Sequence, residues 1–333
     1  MLFSLITPVY KCSAETLEYL ESLTHQEYKD FEIIIIEDGN TDSSKPVIDS
    51  FVDKLNIRYF FKENTSVSYR RNFAMSVAKG DYFVFFDSDC VIPPNYLKTI
   101  NRVLKQDKLD AWGGPDNAHS SFSNFQKAVN YSMTSFLTTG GIRGGKKKIG
   151  KFYPRSFNMG IAAKVFDVTK GFPKGISPGE DIIFSINIIE TNFKTRLVRE
   201  AFVYHKRKIN LKKYFKQIFT FAKVRVPISI VYPHTFSIVF LLPVVYVLGF
   251  VFLVLCSIFI NPFFILAIAI HYIAIFVDSF IKNKSIAVAS LSVVSSLTQF
   301  FAYGLGFLSA SIKRGIMGKK KFLKSINYSQ LLK

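Results

Sequence analysis

Short apolar runs alternate with amphipathic stretches along the first part of the chain. The runs are apolar at consecutive positions, which is typical of strands covered on both faces. They comprise residues 2–9, 31–37, 57–61 and 82–86. Between them, apolar residues recur at helical spacing over residues 15–26, 67–79 and 95–105. This alternation predicts an α/β domain with a mainly parallel sheet.

Long uncharged runs dominate the second half. Residues 236–260 form a run of 25 residues without a charge, and residues 263–281 form a run of 19 with Asp278 near its end. About 20 apolar residues cross a bilayer core, so these runs predict a helical hairpin that turns at Asn261-Pro262. A third run, residues 285–310, is rich in serine and contains Gln299. The lengths disfavour the alternative of three buried helices in a soluble protein.

The net charge of +19 is unevenly distributed. Residues 1–200 contain 26 basic and 23 acidic residues, whereas residues 201–333 contain 17 basic residues and one acid, Asp278. An apolar content of 49% excludes a disordered basic chain. Three cysteines without a CxxC pair exclude a disulfide scaffold and disfavour a zinc site. Because the basic half is also the apolar half, we expect anionic membrane lipids as partners and no nucleic acid.

The basic flanks of the apolar runs create a conflict in membrane topology. Residues 206–225, the pair Lys282 and Lys284, and residues 313–324 are basic, and the positive-inside rule places all three in the cytoplasm. Two spans satisfy that rule, whereas a third full span would export the tail. The third run therefore re-enters, lies partly in the interface or breaks the rule, and we expect three membrane-embedded segments. The chain opens without a charged leader, so we expect the first half in the cytosol.

A basic amphipathic segment, residues 210–232, joins the two halves. Its lysines lie mostly off an apolar stripe with helical spacing. The stripe consists of Leu211, Tyr214, Phe215, Ile218, Phe219 and Ala222. This pattern predicts an interfacial helix on an anionic leaflet, and a helix packed on the soluble domain is the alternative.

Acidic residues follow several of the predicted strands. Glu37-Asp38-Gly39-Asn40-Thr41-Asp42 comes after the second strand, and Asp87-Ser88-Asp89 comes after the fourth. Ligands of parallel sheets bind beyond the carboxyl ends of the strands. Two carboxylates two residues apart can both reach one hard cation, which in turn can hold a diphosphate. A solvated turn is the alternative for Asp87-Ser88-Asp89 taken alone.

These motifs resemble those of family 2 glycosyltransferases, which have the Rossmann-like GT-A fold. The resemblance runs from Leu2 to about His205 and rests on ordered motifs. They are Thr7-Pro8-Val9-Tyr10, Glu37 to Asp42, Arg71-Asn72 followed by Ala78 to Tyr82, Asp87-Ser88-Asp89, and Gly179-Glu180-Asp181. Glu37 stands where the family usually has an aspartate, and Asn64-Thr65-Ser66 lacks the usual glycine.

The resemblance implies a role for each matching residue. Asp38 binds the nucleobase, Asp89 and Asp87 bind Mn²⁺ or Mg²⁺, and His205 is a further metal ligand in some members. Asp181 is the catalytic base, with Glu180 beside it as a partner or as an acid favoured by a helix N-terminus. The remaining donor-binding residues are Thr7, Pro8, Tyr10, Arg71, Ser88 and Asn158. We further expect a helix over residues 182–190 and a strand over residues 196–204.

The second half more loosely resembles membrane-bound members that build bacterial exopolysaccharide, capsule or O-antigen, with Gln217 and Arg225 on the acceptor side. This implies a multi-pass protein of the bacterial inner membrane. We expect a catalytic domain at residues 1–205, a basic amphipathic segment at 206–233, membrane helices at 234–312 and a basic cytoplasmic tail at 313–333. The glycine-rich basic stretch 140–155 is either a loop that closes over a diphosphate or a solvated loop.

The implied reaction is inverting transfer of a sugar from a nucleotide diphosphate sugar, with a UDP-sugar favoured, to a hydroxyl of a lipid-linked or polysaccharide acceptor. Polyprenyl phosphate is the alternative acceptor, and its anionic oxygen needs no base. A nucleotidyltransferase fits poorly, because no glycine- and lysine-bearing loop follows the first strand. A non-enzymatic protein that binds anionic membranes would explain the charge but leave the acids at the strand ends without a role.

Overall fold

The computed structural model describes residues 1–39, 41–139, 152–206 and 210–331. The chain divides into two compact units. The first comprises Met1–His119 and Lys151–Arg207, and the second comprises Ser120–Gly150 and Lys208–Lys333.

The first unit is built on a seven-stranded sheet and a three-stranded sheet. In chain order the strands are β1 Phe3–Tyr10, β2 Phe31–Asp38, β3 Ile57–Phe61, β4 Tyr82–Phe86, β5 Cys90–Val91, β6 Ala111–Gly113, β7 Asp116–Asn117, β8 Asn158–Ala162, β9 Thr195–Leu197 and β10 Val203–His205. The larger sheet has the order β3-β2-β1-β4-β8-β6-β9, and the smaller has the order β5-β10-β7. Among the described strands of the larger sheet, β8 alone runs antiparallel to its neighbours.

Helices cover this sheet and form most of the second unit. They are α1 Ser13–Thr24, α2 Lys45–Asp49, α3 Val67–Val77, α4 Tyr96–Gln106, α5 Asn124–Thr134, α6 Phe136–Thr139, α7 Ala163–Thr169, α8 Glu180–Glu190, α9 Leu211–Val231, α10 Leu242–Phe259, α11 Ile265–Asn283, α12 Ile286–Met317 and α13 Lys319–Lys324. The predicted mainly parallel α/β class is confirmed.

Burial on both faces explains why the early strands were predictable. Every residue of β2 is buried, and its side chains alternate between two apolar clusters. One cluster packs β2 with α1 and α4 through residues such as Leu20 and Ile100, and the other packs it with α3 and α8 through Met75 and Phe184. The four predicted strands and the predicted helices after them match the observed elements to within two residues.

The prediction of one strand over residues 196–204 is wrong. The chain leaves the larger sheet after Leu197 and enters the smaller sheet at Val203. A turn at the exposed, charged pair Arg199 and Glu200 separates the two strands. The Ala201 N–H donates to the Val198 carbonyl across that turn. The turn therefore delivers His205 to a different sheet from that of β9.

Strand register brings the predicted motif residues to one edge of the larger sheet. Tyr10, the last residue of β1, lies opposite Asp38, the last residue of β2, and the two strands are parallel. β4 is the other neighbour of β1, so the Asp87-Ser88-Asp89 turn leaves the sheet at the same edge. Buried Glu37 accepts hydrogen bonds from Tyr59 Oη at 2.6 Å and Ser44 N at 2.6 Å. Glu37 therefore organises the loop after β2.

Within the residues that the structure describes, the second unit contains three helices that are long and apolar enough to cross a membrane. The apolar helical segments are Ile238–Phe259, Pro262–Asn283 and Ile286–Met317. α10 and α11 expose most of their apolar side chains, and Phe259 and Phe263 beside the Asn261-Pro262 turn are 79% and 74% exposed. A surface of that composition suits lipid better than water. The region predicted to hold membrane helices thus has the length and composition expected of it.

α9 packs against α12 within this unit. Tyr214, Ile218 and Ala222 of the predicted apolar stripe are buried, whereas Leu211 and Phe215 are exposed. Tyr214 Oη donates to Gln299 Oε1 at 2.6 Å. About half of the predicted stripe therefore faces another helix.

Residues 120–139 group with the helical unit, which the sequence did not predict. Ser132 Oγ of α5 hydrogen-bonds to Ser295 Oγ at 2.5 Å, and Tyr131 Oη donates to Asp278 Oδ2 at 2.6 Å. These polar contacts fix α5 on α11 and α12. The predicted boundaries 1–205, 206–233, 234–312 and 313–333 stay a prediction.

We expect Gly306→Ala to lower the midpoint of thermal unfolding in detergent. An added Cβ would lie 2.4 Å from the Phe219 carbonyl oxygen, and overpacking typically costs about 1–3 kcal/mol. Gly315→Ala is the matched control, because a Cβ there has nothing within 4 Å and alanine favours a helix by up to about 1 kcal/mol. Equal shifts for the two variants would show that the contact between α9 and α12 is unimportant.

Candidate active site

A polar cavity of about 580 Å³ opens at the end of β2. Asp38 lies in it and is only 8% exposed. Its Oδ2 accepts from Arg70 Nη1 at 2.5 Å, and its Oδ1 accepts from the Asn64 amide at 2.8 Å. The cavity is lined by Tyr10, Lys11, Asp38, Gly39, Thr41, Glu63, Asn64, Thr65 and Arg70. Its size and its fixed acceptor and donor suit a nucleoside.

Two consecutive arginines of α3 bind two different acidic groups. Ser66 caps this helix by accepting from the Tyr69 amide, so Arg70 and Arg71 lie in its first turns. Neighbouring residues point about 100° apart around a helix. Arg70 therefore reaches Asp38, whereas Arg71 reaches the acids beyond β4.

Arg71 lies almost fully buried between two carboxylates. Its Nη2 donates to Asp87 Oδ1 at 3.0 Å, and its Nη1 donates to Glu180 Oε1 at 3.3 Å. The guanidinium also lies over the Phe172 ring, 5.1 Å from its centroid. Arg71 thus ties the turn after β4 to the start of α8.

The acids around Arg71 carry more negative charge than it neutralises. Burial raises the pKa of Asp87, and the charge of Asp89 raises it further, although Arg71 opposes both effects. Burial and the neighbouring Asp181 likewise raise the pKa of Glu180. Raised pKa values of this origin mean that ionising these acids is costly until a further cation arrives.

His205 reaches the same acids from the smaller sheet. Its Nε2 lies 3.0 Å from Asp89 Oδ1, and its ring stacks on Phe157 at 5.0 Å. Among the described residues, its buried Nδ1 finds no hydrogen-bond partner. The ligand atoms of Asp89, Cys90 and His205 lie within 4.8 Å of one another. The carboxylate oxygen of Asp89 suits Mn²⁺ or Mg²⁺, whereas the Cys90 thiol suits softer metals, and Asp87 lies outside this group.

Asp181 lies at the first turn of α8. Its Oδ1 accepts from the Ile182 amide at 2.8 Å, and its Oδ2 lies 3.4 Å from Arg155 Nε. Gly179 precedes the helix with φ +107°, a conformation that favours glycine. Residues 140–151 of the predicted glycine-rich loop lie outside the described residues, whereas Arg155 at its end reaches the acid cluster.

Three of the predicted donor-binding residues hold parts of the protein together. Thr7 Oγ1 donates to Tyr19 Oη at 2.8 Å, and Ser88 Oγ contacts Cys12 Sγ at 3.0 Å. Fully buried Asn158 accepts from Tyr96 Oη at 2.6 Å and donates to the Ala201 carbonyl at 2.9 Å. Its amide is used within the fold, which favours a positioning role over direct contact with a sugar.

The other predicted residues divide between the two units. Tyr10, 54% exposed, lines the cavity at the end of β1, and half-buried Pro8 lies two residues before it in the strand. Gln217 and Arg225 lie on α9 in the second unit. The Arg225 guanidinium lies 4.9 Å from the Phe240 ring centroid, and the predicted acceptor role of Gln217 and Arg225 stays a prediction.

Sequence reasoning missed Arg70 and Cys90 as site residues, whereas Arg155 belongs to the predicted basic loop 140–155. A doublet of arginines at the start of a helix that follows a strand end was a usable signal for Arg70, because only one of two neighbours can face a given acid. Cys90 carried no such signal. Cys90 lies beside Asp89 in the chain, yet only the pairing of β5 with β10 places it opposite His205.

Comparison with known proteins agrees with this geometry. Residues 4–167 match the family model of glycosyl transferase family 2. Glycosyltransferase GlyG of Streptococcus pneumoniae is 32% identical over 127 residues, which cover 37% of this chain and 42% of that protein. An uncharacterized glycosyltransferase of Rickettsia bellii is 25% identical over 198 residues, which cover 59% of this chain and 28% of that protein. The chain thus spans less than half the length of these relatives.

A solved structure supports the fold. The mannosyltransferase PcManGT from Pyrobaculum calidifontis, solved in complex with GDP-Man and Mn2+, is 12% identical with a TM-score of 0.56, over 94% of this chain and 86% of that one. At this identity the likeness concerns the fold alone. The family match assigns residues 4–167 to glycosyl transferase family 2, and the solved structure supports the GT-A fold.

Proposed function

We propose that this chain is a membrane-bound inverting glycosyltransferase that moves a sugar from a nucleotide diphosphate sugar to a hydroxyl acceptor. The observation that carries the proposal is the meeting of two sites at one sheet edge. One is the nucleoside-sized cavity at Asp38, and the other is the acid cluster of Asp87, Asp89, Glu180 and Asp181 with His205. Arg70 and Arg71, adjacent on α3, connect the two sites.

The pair of Asp38 and Arg70 supports a uridine nucleotide as the donor. A carboxylate oxygen accepts and a guanidinium donates, and they lie side by side in the cavity. Uracil offers an imide N–H donor next to carbonyl acceptors, which complements this pair. Burial lowers the pKa of Arg70 against the opposing effect of Asp38, so an added carbonyl acceptor would benefit from this partly desolvated guanidinium.

Asp87, Asp89 and His205 are the residues that would hold Mn²⁺ or Mg²⁺. The bound cation supplies charge neutralisation for the departing nucleoside diphosphate. Arg71 holds one oxygen of the Asp87 carboxylate, and Phe157 fixes the His205 ring by stacking.

Asp181 is the group best placed to take the acceptor proton. Glu180 is tied to Arg71, whereas Asp181 is partly exposed and keeps Oδ2 near Arg155. Arg155 has to release that oxygen before it can accept a proton. An attack on the anomeric carbon from the face opposite the leaving group inverts its configuration in one displacement.

The membrane-length helices support a membrane location, and we place the protein in a bacterial inner membrane with its catalytic unit in the cytoplasm. A lipid-linked or polysaccharide acceptor follows from that placement. Polyprenyl phosphate is the second candidate acceptor, and the apolar hairpin of α10 and α11 favours it. An acceptor that already carries its negative oxygen would not need Asp181.

The experiment that tests the donor is ligand-dependent thermal unfolding. We expect UDP-sugars with Mn²⁺ to raise the unfolding midpoint of the detergent-solubilised protein, since a ligand that binds the native state stabilises it. ADP- and CDP-sugars, whose bases lack the imide, serve as matched controls, and GDP-sugars test the other base with a ring N–H. Stabilisation by no nucleotide sugar would reject the proposed function.

We expect transfer to require a divalent cation. EDTA should abolish sugar transfer, and Mn²⁺ or Mg²⁺ should restore it in the unmodified chain. Asp89→Ala should weaken binding of the nucleotide sugar even with excess Mn²⁺, because the diphosphate loses its cation. Asp53→Ala, at an exposed acid in another loop, should bind normally by calorimetry. Full transfer by Asp89→Ala in EDTA would exclude the metal site.

We expect Asp181→Asn to keep donor binding and to lose about 10²–10⁴-fold in turnover, the usual cost of removing a general base. Glu180→Gln should instead weaken donor binding together with turnover, since it frees Arg71 from one of its two carboxylates. Calorimetry and initial rates with a hydroxyl acceptor separate these effects. Undiminished turnover of Asp181→Asn would point to polyprenyl phosphate as the acceptor.

We expect Arg70→Met to weaken the binding of UDP by about 10–100-fold, which corresponds to about 1.5–3 kcal/mol for a hydrogen bond to a charged group. Arg102→Met, at an exposed arginine of α4, is the control for loss of one positive charge. Titration calorimetry gives both dissociation constants. An Arg70→Met protein that binds UDP as tightly as the control would remove Arg70 from the donor site.

A further inference from the structure

α12 is the longest helix of the second unit, yet it differs from α10 and α11 in its surroundings. In its most apolar stretch, 44% of the residues are buried within the protein, against 17% and 11% for the other two membrane-length segments. A helix that spans a bilayer beside a hairpin would run along the full length of that hairpin. The contacts of α12 do not run along the full length of the hairpin.

α12 crosses the α10–α11 hairpin between its open end and its middle. Ser292 Oγ hydrogen-bonds to Ser279 Oγ near the end of α11 at 2.7 Å. Eight residues later, the Phe300 ring stacks on Tyr246 of α10 at 4.2 Å. A Cβ on Gly304 would then lie 2.6 Å from the carbonyl oxygen of Pro243, at the very start of α10.

On α11, the partner moves toward the Asn261-Pro262 turn, from Ser279 beside Ser292 to His271, whose ring lies 5.8 Å from that of Phe300. On α10, Phe301 reaches Phe250 at 5.1 Å, and Gly304 then lies against Pro243 and Val247, so these contacts recede from the turn. α10 and α11 are each roughly 28 Å long at 1.5 Å per residue. A spanning α12 would go on from Phe250 to residues of α10 that are closer to the turn. After Phe301 it instead meets Pro243 and Val247, in the first turns of α10, on the side of the bilayer from which α10 starts if the hairpin spans it.

A basic helix accompanies α12 on its far half. Tyr214 of α9 contacts Gln299, and a Cβ on Gly306 would lie 2.4 Å from the Phe219 carbonyl oxygen and 3.1 Å from the Ala222 Cβ. α9 therefore lies beside α12 for at least two turns. Along this stretch α9 exposes Lys212, Lys213, Lys216 and Lys223. If this part of α12 crossed the hydrocarbon core of the bilayer, the lysines of α9 beside it would also lie in the hydrocarbon core. Burying them there is strongly unfavourable.

α5 accompanies the near half of α12. Ser295 Oγ donates to the Ala128 carbonyl at 3.1 Å, and Gln299 Nε2 donates to the Thr138 carbonyl at the end of α6 at 3.5 Å. α5 carries Lys127, whose ammonium donates to the Ser120 carbonyl. The serine-rich face of α12 is thus used to bind a polar helix, and it is not available to face lipid.

We propose that α12 lies along the membrane surface on the side of α9 and does not cross the bilayer. The hairpin of α10 and α11 alone enters the membrane, so Lys284 before α12 and the lysines of α13 after it stay on the same side. The partner of this surface is the anionic lipid headgroup layer, which attracts Lys313, Arg314 and Lys319–Lys324. The inference rests on the membrane residence stated under the proposed function, and it removes the conflict with the positive-inside rule.

Cysteine accessibility in intact bacterial cells tests the inference with the full chain. The variants are Lys284→Cys before α12, Lys320→Cys after it, and Asn261→Cys at the hairpin turn, none of which belongs to the catalytic machinery. The unmodified chain gives the background from Cys12, Cys90 and Cys256. A membrane-impermeant maleimide is applied before or after lysis, and sugar transfer in isolated membranes confirms that each variant folds.

We expect Lys284→Cys and Lys320→Cys to behave alike, with labelling at background in intact cells and strong labelling after lysis. Asn261→Cys should be labelled in intact cells. Labelling of Lys320→Cys but not Lys284→Cys in intact cells would show that α12 spans the membrane and would overturn this inference alone. Release of the unmodified protein by alkaline carbonate would overturn the membrane residence itself, and transferase activity would still be measurable in the released protein.

Discussion

The mutual repulsion of carboxylates at one sheet edge is the constraint on which the catalytic unit depends. Asp87, Asp89, Glu180 and Asp181 come together because parallel strands end at the same edge and α8 begins there. Buried Arg71 offsets part of their charge by binding Asp87 and Glu180 at once. A lone buried charge costs several kcal/mol. Removing Arg71 would therefore leave the carboxylates unpaired, and removing the carboxylates would leave Arg71 unpaired. The charge left over is what makes the edge suited to a cation and a diphosphate.

In the helical unit, polar contacts between helices determine which helices pack together. Helices in an apolar environment gain little from burying apolar surface, so hydrogen bonds and close backbone approach select their partners. Ser292, Ser295 and Gln299 of α12 bond to α11, α5 and α9 in turn. Gly304 and Gly306 let α10 and α9 approach the α12 backbone. The serines and Gln299 made the third apolar run more polar than a typical membrane span. The same residues bind α12 to its neighbouring helices.

Most of the catalytic fold could be predicted because its central strands are apolar at every position and its helices are amphipathic. The strands at the β9 edge of the larger sheet were harder to predict. Residues 196–204 show a strand-like pattern throughout, and the turn at Arg199 and Glu200 could not be distinguished from an exposed stretch of a strand. The motif residues of the candidate site were predicted by resemblance, yet Asn158 and Thr7 proved to be engaged within the fold. The role of Arg70 depended on the direction of its side chain from α3.

The sequence by itself determined the two halves, the parallel sheet, the acids at the strand ends and the apolar character of the last helices, because periodicity, charge and composition are local properties. Tertiary structure alone decided which arginine meets which acid, that His205 faces Asp89, and that residues 120–139 join the helical unit. It also decided the course of α12, since the length and hydropathy of a helix are the same whether it crosses a membrane or lies along it. Which of the two it does depends on the neighbours it packs against, and those are distant in the chain.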